Sequence, residues 1–281
     1  MLLAVVVNSR SGGAGEPDRI VELLGRGGAR VERLSLDELD GPLPDGAARL
    51  VVAGGDGSIG VAARAAAGAG VPLAVVPTGT ANDFARALDL PADIDAACAL
   101  AADPAAATQH HEIGVLDGQP FVNAAAAGLS AVASSRAETF KSRLGALAYP
   151  LGAVMAGLTA SPLRCRVRCD DAECFAGEAW QVVIGVTGAF GGGSGIGATS
   201  PDDAVFDVAV VAVGPRWQLL RRAVGMRRHS LTEQPGVGHH RGQVVEVELP
   251  AGTAFNVDGD LREALPARFT MLPGGVEVVA G

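Results

Sequence analysis

The chain has 281 residues, of which 48% are hydrophobic and 19% are charged, with 22 Lys plus Arg against 31 Asp plus Glu. This length suits one large domain or two ordinary ones, and the apolar fraction excludes a disordered chain. The net charge of −9 argues against broad attraction to nucleic acid or to an anionic membrane, while leaving room for a local basic patch. Lys141 is the only lysine, so a Walker-type phosphate loop is absent.

The N-terminal part alternates between apolar strands and short glycine loops followed by helices. Leu2 to Val7 is a continuous apolar run, typical of a strand buried on both faces. Further strands are predicted at Ala29 to Leu36, Arg49 to Ala53 and Val71 to Val76, with helices from Pro17, from about Ser58 and over Asn82 to Leu88. This repeat predicts a doubly wound, Rossmann-like α/β domain, whose ligands bind beyond the carboxyl ends of the strands.

The pattern changes near residue 110, where short strands separated by turn residues begin. Ile113 to Val122 predicts a hairpin that turns at Asp117-Gly118. Later strands are predicted at Arg164 to Cys169, Ala179 to Thr187, Val205 to Val213, Val244 to Leu249, Ala254 to Val257 and Val276 to Val279. We therefore predict two domains, an α/β domain over residues 1–109 and an antiparallel β-sandwich over residues 110–281.

One uncharged stretch, Leu144 to Leu163, has the length of a membrane-spanning helix. It contains two prolines and three glycines, so we expect a soluble helix that packs on a core or lines an apolar cleft, and no transmembrane segment. No signal-peptide pattern precedes the first strand. We expect a cytoplasmic protein, and peripheral attachment to the membrane stays open.

Two side-chain patterns carry alternative interpretations. Cys165 and Cys169 alternate with arginines, which predicts a strand with its cysteines facing the core; a metal or redox function is the alternative. A basic run contains Arg216, Arg221, Arg222, Arg227 and Arg228. It fits either a solvated helix face or a contact with anionic lipid.

Three glycine loops follow predicted strands and would converge on one edge of the sheet. Such a loop offers unpaired backbone N–H groups to an anion at a helix N-terminus. The loop around Gly12 is weak evidence, because Asp18 replaces the third glycine of a dinucleotide fingerprint. The loop Gly54-Gly55-Asp56-Gly57-Ser58 is more specific. Its Asp56 carboxylate needs a cation or a donor hydroxyl beside phosphate, or else caps the helix that follows.

The next strand end adds a longer polar segment, from Pro77 to Arg86. The candidate nucleotide-binding residues in this segment are Thr78, Gly79, Thr80, Asn82 and Arg86. They supply hydroxyls, an amide and a cation at the same predicted edge as Gly54 to Ser58.

Together these residues resemble the diacylglycerol kinase catalytic family, which includes bacterial soluble lipid kinases, sphingosine kinases and ceramide kinases. The similarity is carried by Gly54 to Ser58 and by Pro-Thr-Gly-Thr-Ala-Asn-Asp-Phe-Ala-Arg at residues 77–86. It continues through Phe121-Val122-Asn123, Arg143-Leu144-Gly145, Asp203 to Val208 and Asp258-Gly259-Asp260, and so spans essentially the whole chain. The 77–86 block is highly specific, whereas GGDG alone is shared with NAD kinases.

The resemblance implies an ATP- and Mg²⁺-dependent transfer of the γ-phosphoryl group to a lipid hydroxyl, with a diacylglycerol-like acceptor. The lipid would be presented at a membrane surface; nucleic acid is not expected as a partner, and a homodimer stays open. By motif, Asn8, Ser11 and Gly12 would lie beside the nucleotide, Gly54, Gly55, Asp56, Gly57 and Ser58 would hold its phosphates, and Thr80 would contact it. A structural Mg²⁺ would be bound by Asp203 and by the carbonyls of Ser200 and Val205, and Asp260 would accept the proton.

Asp258 and Asp260 are both candidate catalytic residues, along with Asp56. On a regular strand the first two would share a face, so that one would orient the other or bind metal; the alternative is that Asp258-Gly259 is a hairpin turn. Departures from the family pattern are Gly60 and Val61 in place of a polar residue and a Glu, Asp260 in place of Glu, and Ala204 in place of Gly. They leave two alternatives, a weakly active or non-catalytic nucleotide- or lipid-sensing protein and an NAD kinase.

Overall fold

The computed structural model describes residues 1–8, 17–129, 131, 161–190, 193–197, 203–263 and 266–280. The chain forms two compact units. The first contains Met1–Gly114, Gln119–Val122 and Leu272–Gly281, and the second contains Val115–Gly118 and Asn123–Met271. The predicted arrangement of an N-terminal parallel-sheet domain and a C-terminal antiparallel-sheet domain is confirmed.

The first unit is built on a six-stranded sheet with the order β2-β1-β3-β4-β19-β5. Its strands are β1 (Leu2–Val7), β2 (Arg30–Leu34), β3 (Ala47–Gly54), β4 (Leu73–Pro77), β5 (Ala107–His111) and β19 (Val276–Ala280). The first four pair in parallel, β19 is parallel to β4, and β5 is antiparallel to β19. Because β1 and β4 contain only apolar residues, both faces of this sheet need a covering layer.

Helices cover both faces of this sheet. They are α1 (Pro17–Gly25), α2 (Asp56–Ala69), α3 (Asp83–Ala87) and α4 (Ile94–Ala102), with a 3-10 helix at Asp37–Asp40. One core packs Ile59, Ala62 and Phe84 against one face, and the other packs Ile20 and Cys98 against the opposite face. Asp93 is the N-cap of α4, and its side chain accepts a hydrogen bond from the Ala96 amide at 2.9 Å, a capping pattern that the sequence-based prediction missed.

The last strand differs from the prediction. The alternation of Val276 to Val279 indicated a strand of the second domain, yet β19 lies between β4 and β5 in the sheet of the first unit. Val278 is buried in one core and Val279 in the other, so the strand is covered on both faces. Short-range patterning identifies a strand but does not specify the sheet that accepts it.

The second unit is an antiparallel sheet. Its strands include β8 (Ala124–Gly128), β9 (Leu163–Cys169), β10 (Ala172–Gly185), β13 (Phe206–Ala212), β14 (Val237–Gly242), β15 (Val244–Glu248), β16 (Ala254–Val257), β17 (Asp260–Glu263) and β18 (Ala267–Met271). The long strand β10 pairs with β9 through its first half and with both β8 and β13 through its second half. The short strands β6 (Gly114–Leu116), β7 (Gln119–Phe121), β11 (Ala189–Phe190) and β12 (Ser194–Gly195) and helix α5 (Trp217–Arg227) complete the described elements.

The cysteine strand agrees with its prediction. In β9, Cys165, Val167 and Cys169 are buried, whereas Arg164 and Arg166 are exposed. Burial raises the pKa of the Cys165 thiol to about 11, which disfavours the reactive thiolate. The uncharged stretch lies outside the described residues over 144–160, and among the described residues no helix is long and apolar enough to cross a membrane.

Candidate functional site

The predicted convergence of strand-end loops is confirmed for the part of the chain that the structure describes. Strands β1, β3 and β4 are parallel neighbours, so their carboxyl ends lie along one edge. Asn8, directly after β1, donates from Nδ2 to the Ser58 hydroxyl at 2.7 Å. Ser58 is buried and serves as this acceptor rather than facing solvent. Ser11 and Gly12 lie outside the described residues, so their predicted contacts stay predictions.

Two glycines bring the loops after β3 and β4 into direct backbone contact. A Cβ added to Gly79 would lie 2.6 Å from the Gly55 Cα and 2.7 Å from the Asn82 Oδ1, closer than real Cβ atoms approach. A Cβ on Gly54 would meet the Ser58 side chain at 2.8 Å. Side chains at these positions would push the loops apart, so the glycines are required by close approach rather than by turn geometry.

Asp56 joins the same two loops through its carboxylate. Its Oδ1 accepts a hydrogen bond from the Phe84 amide at 2.9 Å, and its Oδ2 accepts one from the Asp83 amide at 3.1 Å. The alternative that Asp56 caps its own helix is wrong, because α2 begins at Asp56 and its N-cap, Gly55, has no side-chain cap. Instead Asp56 caps α3, which follows the next strand.

The segment after β4 contains two buried oxygen atoms with unused bonding capacity. Thr78 is 2% exposed, and its Oγ1 has no hydrogen-bond partner among the described residues; the same holds for the Asn82 Oδ1. Asn82 has φ 49° and donates from Nδ2 to the Gly79 carbonyl at 2.9 Å, which holds its amide in place. Buried polar atoms are normally paired, so these two indicate a ligand with complementary groups. Thr80 is exposed in the same loop.

Arg86 is bound within its own segment. Its guanidinium donates to the Asp83 carboxylate at 2.9 Å and to the Ala81 carbonyl at 2.6 Å. Asp83 is buried, whereas the Arg86 side chain is 53% exposed. The guanidinium has five N–H donors, so these bonds leave others for an anion. Its predicted role at the phosphates stays a prediction.

These features fit the phosphates of a nucleotide. The α2 N-terminus has no side-chain cap, the glycine contacts clear space for close approach, and Thr78 has a buried hydroxyl that can donate to a phosphate oxygen. An uncapped helix N-terminus favours negative charge, because its N–H groups and its dipole both point outward. The described residues therefore suit ATP at this edge.

The departure at Gly60 has a packing explanation. Gly60 is buried in α2, and a Cβ there would lie 3.0 Å from the Pro120 carbonyl oxygen and 3.5 Å from the Phe121 Cα. A side chain at this position would therefore require strand β7 to shift by a few tenths of an ångström. Val61, next along the helix, is partly buried against the adjoining core.

In the second unit, Asp258 and Asp260 do not share the face of a strand, and this prediction is wrong. Asp258 and Gly259 form the two-residue turn between β16 and β17, in which Val257 pairs with Asp260. Asp258 has φ 49°, and its Oδ1 accepts hydrogen bonds from the amides of Asn123 and Ala124 at 3.0 and 3.1 Å. The alternative interpretation as a hairpin turn is confirmed. The carboxylate of Asp258 binds the backbone amides of two neighbouring residues.

Asp260 differs from Asp258 in its exposure and in the hydrogen bonds of its carboxylate. It is the exposed first residue of β17. Within the described residues its carboxylate has no hydrogen-bond or ionic partner. Of the two aspartates, it is therefore the one whose oxygens are open to a substrate.

The predicted metal segment has an internal cation instead. The Arg241 guanidinium donates to the Asp203 Oδ2, and its Nε lies 3.3 Å from the Asp207 Oδ1. The Asp203 Oδ1 accepts the Val205 amide at 3.2 Å. The hydrogen bond with Asp203 raises the pKa of Arg241 above its usual value, so the guanidinium keeps its charge. Arg241 was not identified from the sequence, since nothing near it marks a partner 38 residues away.

The described residues therefore do not fit a metal at Asp203. Ser200 lies outside them, and both Asp203 oxygens are engaged. Among the described residues no group of three or more His, Cys, Asp or Glu side chains is arranged to hold a metal ion. Ala204 has φ 55°, a left-handed conformation that explains why glycine would suit this position.

Comparison with known proteins agrees with both units. Residues 3–113 match the diacylglycerol kinase catalytic domain, and residues 123–280 match the YegS C-terminal NAD kinase beta sandwich-like domain. A Pseudomonas aeruginosa protein named "Probable lipid kinase YegS-like" is 33% identical over 245 residues, covering 84% of this chain and 78% of that protein. The chain belongs to the family of diacylglycerol kinases and YegS-like lipid kinases.

Another relative and two solved structures are similar to this chain at lower sequence identity. The diacylglycerol kinase of Staphylococcus epidermidis is 29% identical over 233 residues, covering 82% of this chain and 73% of that one. A crystal structure of a diacylglycerol kinase from Bacillus anthracis matches with a TM-score of 0.76 at 19% identity, over 99% of this chain and 96% of that one. An Archaeoglobus fulgidus NAD kinase in complex with ATP matches with a TM-score of 0.55 at 14% identity, over 99% and 93%. These two structures show the fold alone.

Asp56→Ala should destabilise this lipid kinase by about 2 to 4 kcal/mol, because the change leaves the buried amides of Asp83 and Phe84 without their acceptor. Asp18→Ala, at a carboxylate whose side chain is 86% exposed in an ion pair with Arg33, should change stability by less than about 1 kcal/mol. Urea unfolding followed by circular dichroism measures both. Equal unfolding midpoints for the two variants would show that the Asp56 contacts do not contribute to the free energy of unfolding.

EDTA should leave the melting temperature of the purified protein unchanged, because Arg241 already neutralises Asp203. Arg241→Gln should lower the melting temperature by about 2 to 6 °C, since the buried Asp207 loses an ionic partner. Arg268→Gln, which breaks a pair with Glu246 on the surface, is the matched control. A drop with EDTA that Mg²⁺ restores would show a structural metal and contradict this interpretation.

Proposed function

We propose that this protein is an ATP-dependent lipid kinase that transfers the γ-phosphoryl group to the hydroxyl of a diacylglycerol-like lipid. The observation that carries the proposal is the junction of the two strand-end loops, in which Asp56 accepts both the Asp83 and Phe84 amides. Both loops lie within residues 3–113, which match the diacylglycerol kinase catalytic domain.

The nucleotide end of the reaction rests on the first unit. Gly55 and Gly79 have no side chains and lie in close contact, so phosphate oxygens can approach the backbone N–H groups of these loops. Thr78 Oγ1 can donate to a phosphate oxygen, and Asn82 Oδ1 can accept from a ribose hydroxyl or an amine. Asp56 contributes indirectly, as a positioning residue that sets the distance between the two loops.

Phosphoryl transfer depends on alignment and on neutralising charge, and it needs no covalent bond to protein. When bound with the nucleotide, Mg²⁺ would neutralise part of the charge on the phosphoryl oxygens. Backbone amides at the α2 N-terminus and the remaining donors of Arg86 would neutralise more. Having Lys141 as its only lysine is therefore compatible with this chemistry.

Asp260 is proposed as the proton acceptor. Its carboxylate is exposed, and no described residue engages it, so a lipid hydroxyl can donate to it as the new O–P bond forms. General-base assistance of this kind contributes roughly 10²- to 10⁴-fold to rate. We do not assign this role to Asp258, because its Oδ1 accepts hydrogen bonds from the Asn123 and Ala124 amides.

The acceptor is proposed to be a lipid alcohol at a membrane surface. Support comes from the relatives, which are named diacylglycerol kinase and YegS-like lipid kinase. We propose that the protein is cytoplasmic and attaches peripherally to that surface. Nucleic acid is not proposed as a partner, in keeping with the net charge of −9.

The purified protein is incubated with Mg²⁺ and γ-labelled ATP in separate reactions that contain diacylglycerol, phosphatidylglycerol, sphingosine or NAD. The label should be transferred to a lipid and not to NAD. We expect the label in diacylglycerol, since the matched catalytic domain carries that name. Label only in NADP would make the protein an NAD kinase. ATP binding by calorimetry without label in any acceptor would make it a sensor, and either result would sink the proposal.

Asp260→Asn should lower turnover at least about 100-fold while leaving ATP affinity and melting temperature near those of the native protein. Asp258→Ala is the control two residues away, and it should lower the melting temperature because alanine offers no acceptor to the Asn123 and Ala124 amides. The pair separates chemistry from folding. Full activity in Asp260→Asn would remove this residue from the mechanism.

A further inference from the structure

We propose that the outer face of helix α5 is a docking surface for an anionic lipid bilayer. The inference rests on the proposed function in one respect, because a kinase that acts on membrane lipid must reach the membrane.

Exposed apolar side chains are concentrated at this helix. Among the described residues, the large hydrophobic side chains with substantial exposure are Met1, Val213, Trp217 and Val224. Trp217 is 66% exposed and Val224 is 50% exposed, and both lie on α5. Tryptophan seldom stays exposed without a partner surface, because its ring has a large apolar area.

The charges around these side chains are of one sign. Residues 213–228 contain five arginines and no Asp or Glu, within a chain whose net charge is −9. The structure divides the arginines by role. Arg222 is buried and donates to the Ala212 carbonyl at 3.1 Å, and Arg216 lies 4.9 Å from the centre of the Trp180 ring. The exposed arginines at the start of the helix, along it and at its end are Arg216, Arg221, Arg227 and Arg228.

Helical geometry places the apolar and basic residues on one face. Residues 217, 221, 224 and 228 are spaced by four, three and four positions, so they form a single stripe along α5. The opposite face contains Leu219 and Met226, which pack on a core that includes Trp180 and Leu231. The fold therefore uses one side of the helix and leaves Trp217, Arg221, Val224 and Arg228 outside.

An anionic bilayer is the partner that this stripe fits. Helices that lie in the membrane interface combine aromatic and aliphatic side chains with arginines or lysines, which meet the acyl boundary and the lipid phosphates together. Attraction must be local, because the net charge of the whole chain is negative and screening limits its range to about 10 Å. The α5 stripe provides such a local positive surface.

Binding to vesicles tests this surface without ATP or diacylglycerol. Full-length protein should co-sediment with vesicles of equal parts phosphatidylglycerol and phosphatidylcholine, and at least about tenfold less with phosphatidylcholine alone. Of the two tryptophans, Trp180 is 4% exposed, so a blue shift of emission on binding would come from Trp217. Trp217→Gln should remove that shift and weaken binding about tenfold.

A charge-matched pair of variants locates the effect. Arg221→Gln with Arg228→Gln should weaken binding about 30-fold. Arg166→Gln with Arg268→Gln removes the same charge from exposed strand positions of the second unit, and should keep native affinity to within about threefold. Equal affinity of the two double variants, or absence of wild-type binding, would overturn the proposal.

Self-association is the remaining outcome to separate. If α5 instead pairs with a second copy, sedimentation velocity will show a dimer that Trp217→Gln dissociates, and the docking proposal is then wrong. Failure of the kinase reaction is distinguishable from failure of docking. Vesicle binding with no phosphorylated lipid would reject only the proposed function, and lipid phosphorylation in detergent micelles with no vesicle binding would reject only the docking surface.

Discussion

The two hydrogen bonds that Asp56 accepts from the Asp83 and Phe84 amides are the contact on which the candidate nucleotide site depends. Parallel strands bring their carboxyl ends to one edge, but pairing between strands ends where the loops begin. Beyond that point, the separation of the loops is set by their own contacts. A buried carboxylate that accepts two amides is a strong constraint, because leaving either partner unpaired costs more than the bonds gain. The glycine pair then permits the distance that Asp56 imposes.

The second unit uses the same physical device. Asp258 sits in a tight turn and accepts the Asn123 and Ala124 amides, which fixes the turn relative to the start of β8. Asn123 also accepts a hydrogen bond from the Thr187 hydroxyl at 3.0 Å. In both units, then, an aspartate in a motif that suggests chemistry serves as an acceptor for backbone. Asp260 is left as the candidate for proton transfer because it is not used in this way.

Much of this architecture was predictable from local pattern. The apolar runs identified β1, β3 and β4, and the position of the glycine loops at the carboxyl ends of these strands indicated which loops would meet. The partners of single side chains were not predictable, since the bonds of Asp56 and Asp258 span 27 and 135 residues along the chain. The placement of β19 failed for a related reason, because its residues fit any half-buried strand. The pairing of Asp203 with Arg241 was likewise not predictable, because no local signal in the sequence marks it.

The hydrogen bonds of the arginines suggest a physical reason why the chain has only one lysine. Arg49 is 6% exposed and donates to the carbonyls of Ala101 and Asp103 at 3.0 and 2.7 Å, and burial lowers its pKa. Arg86 and Arg222 likewise donate to backbone carbonyls. A guanidinium stays charged under these conditions and has five donors in a rigid plane, so one side chain can bind two acceptors. Lysine would lose its proton more readily when buried. Arginine therefore serves the interior as a cross-link, and the same residue type on α5 is left to meet phosphate at a surface.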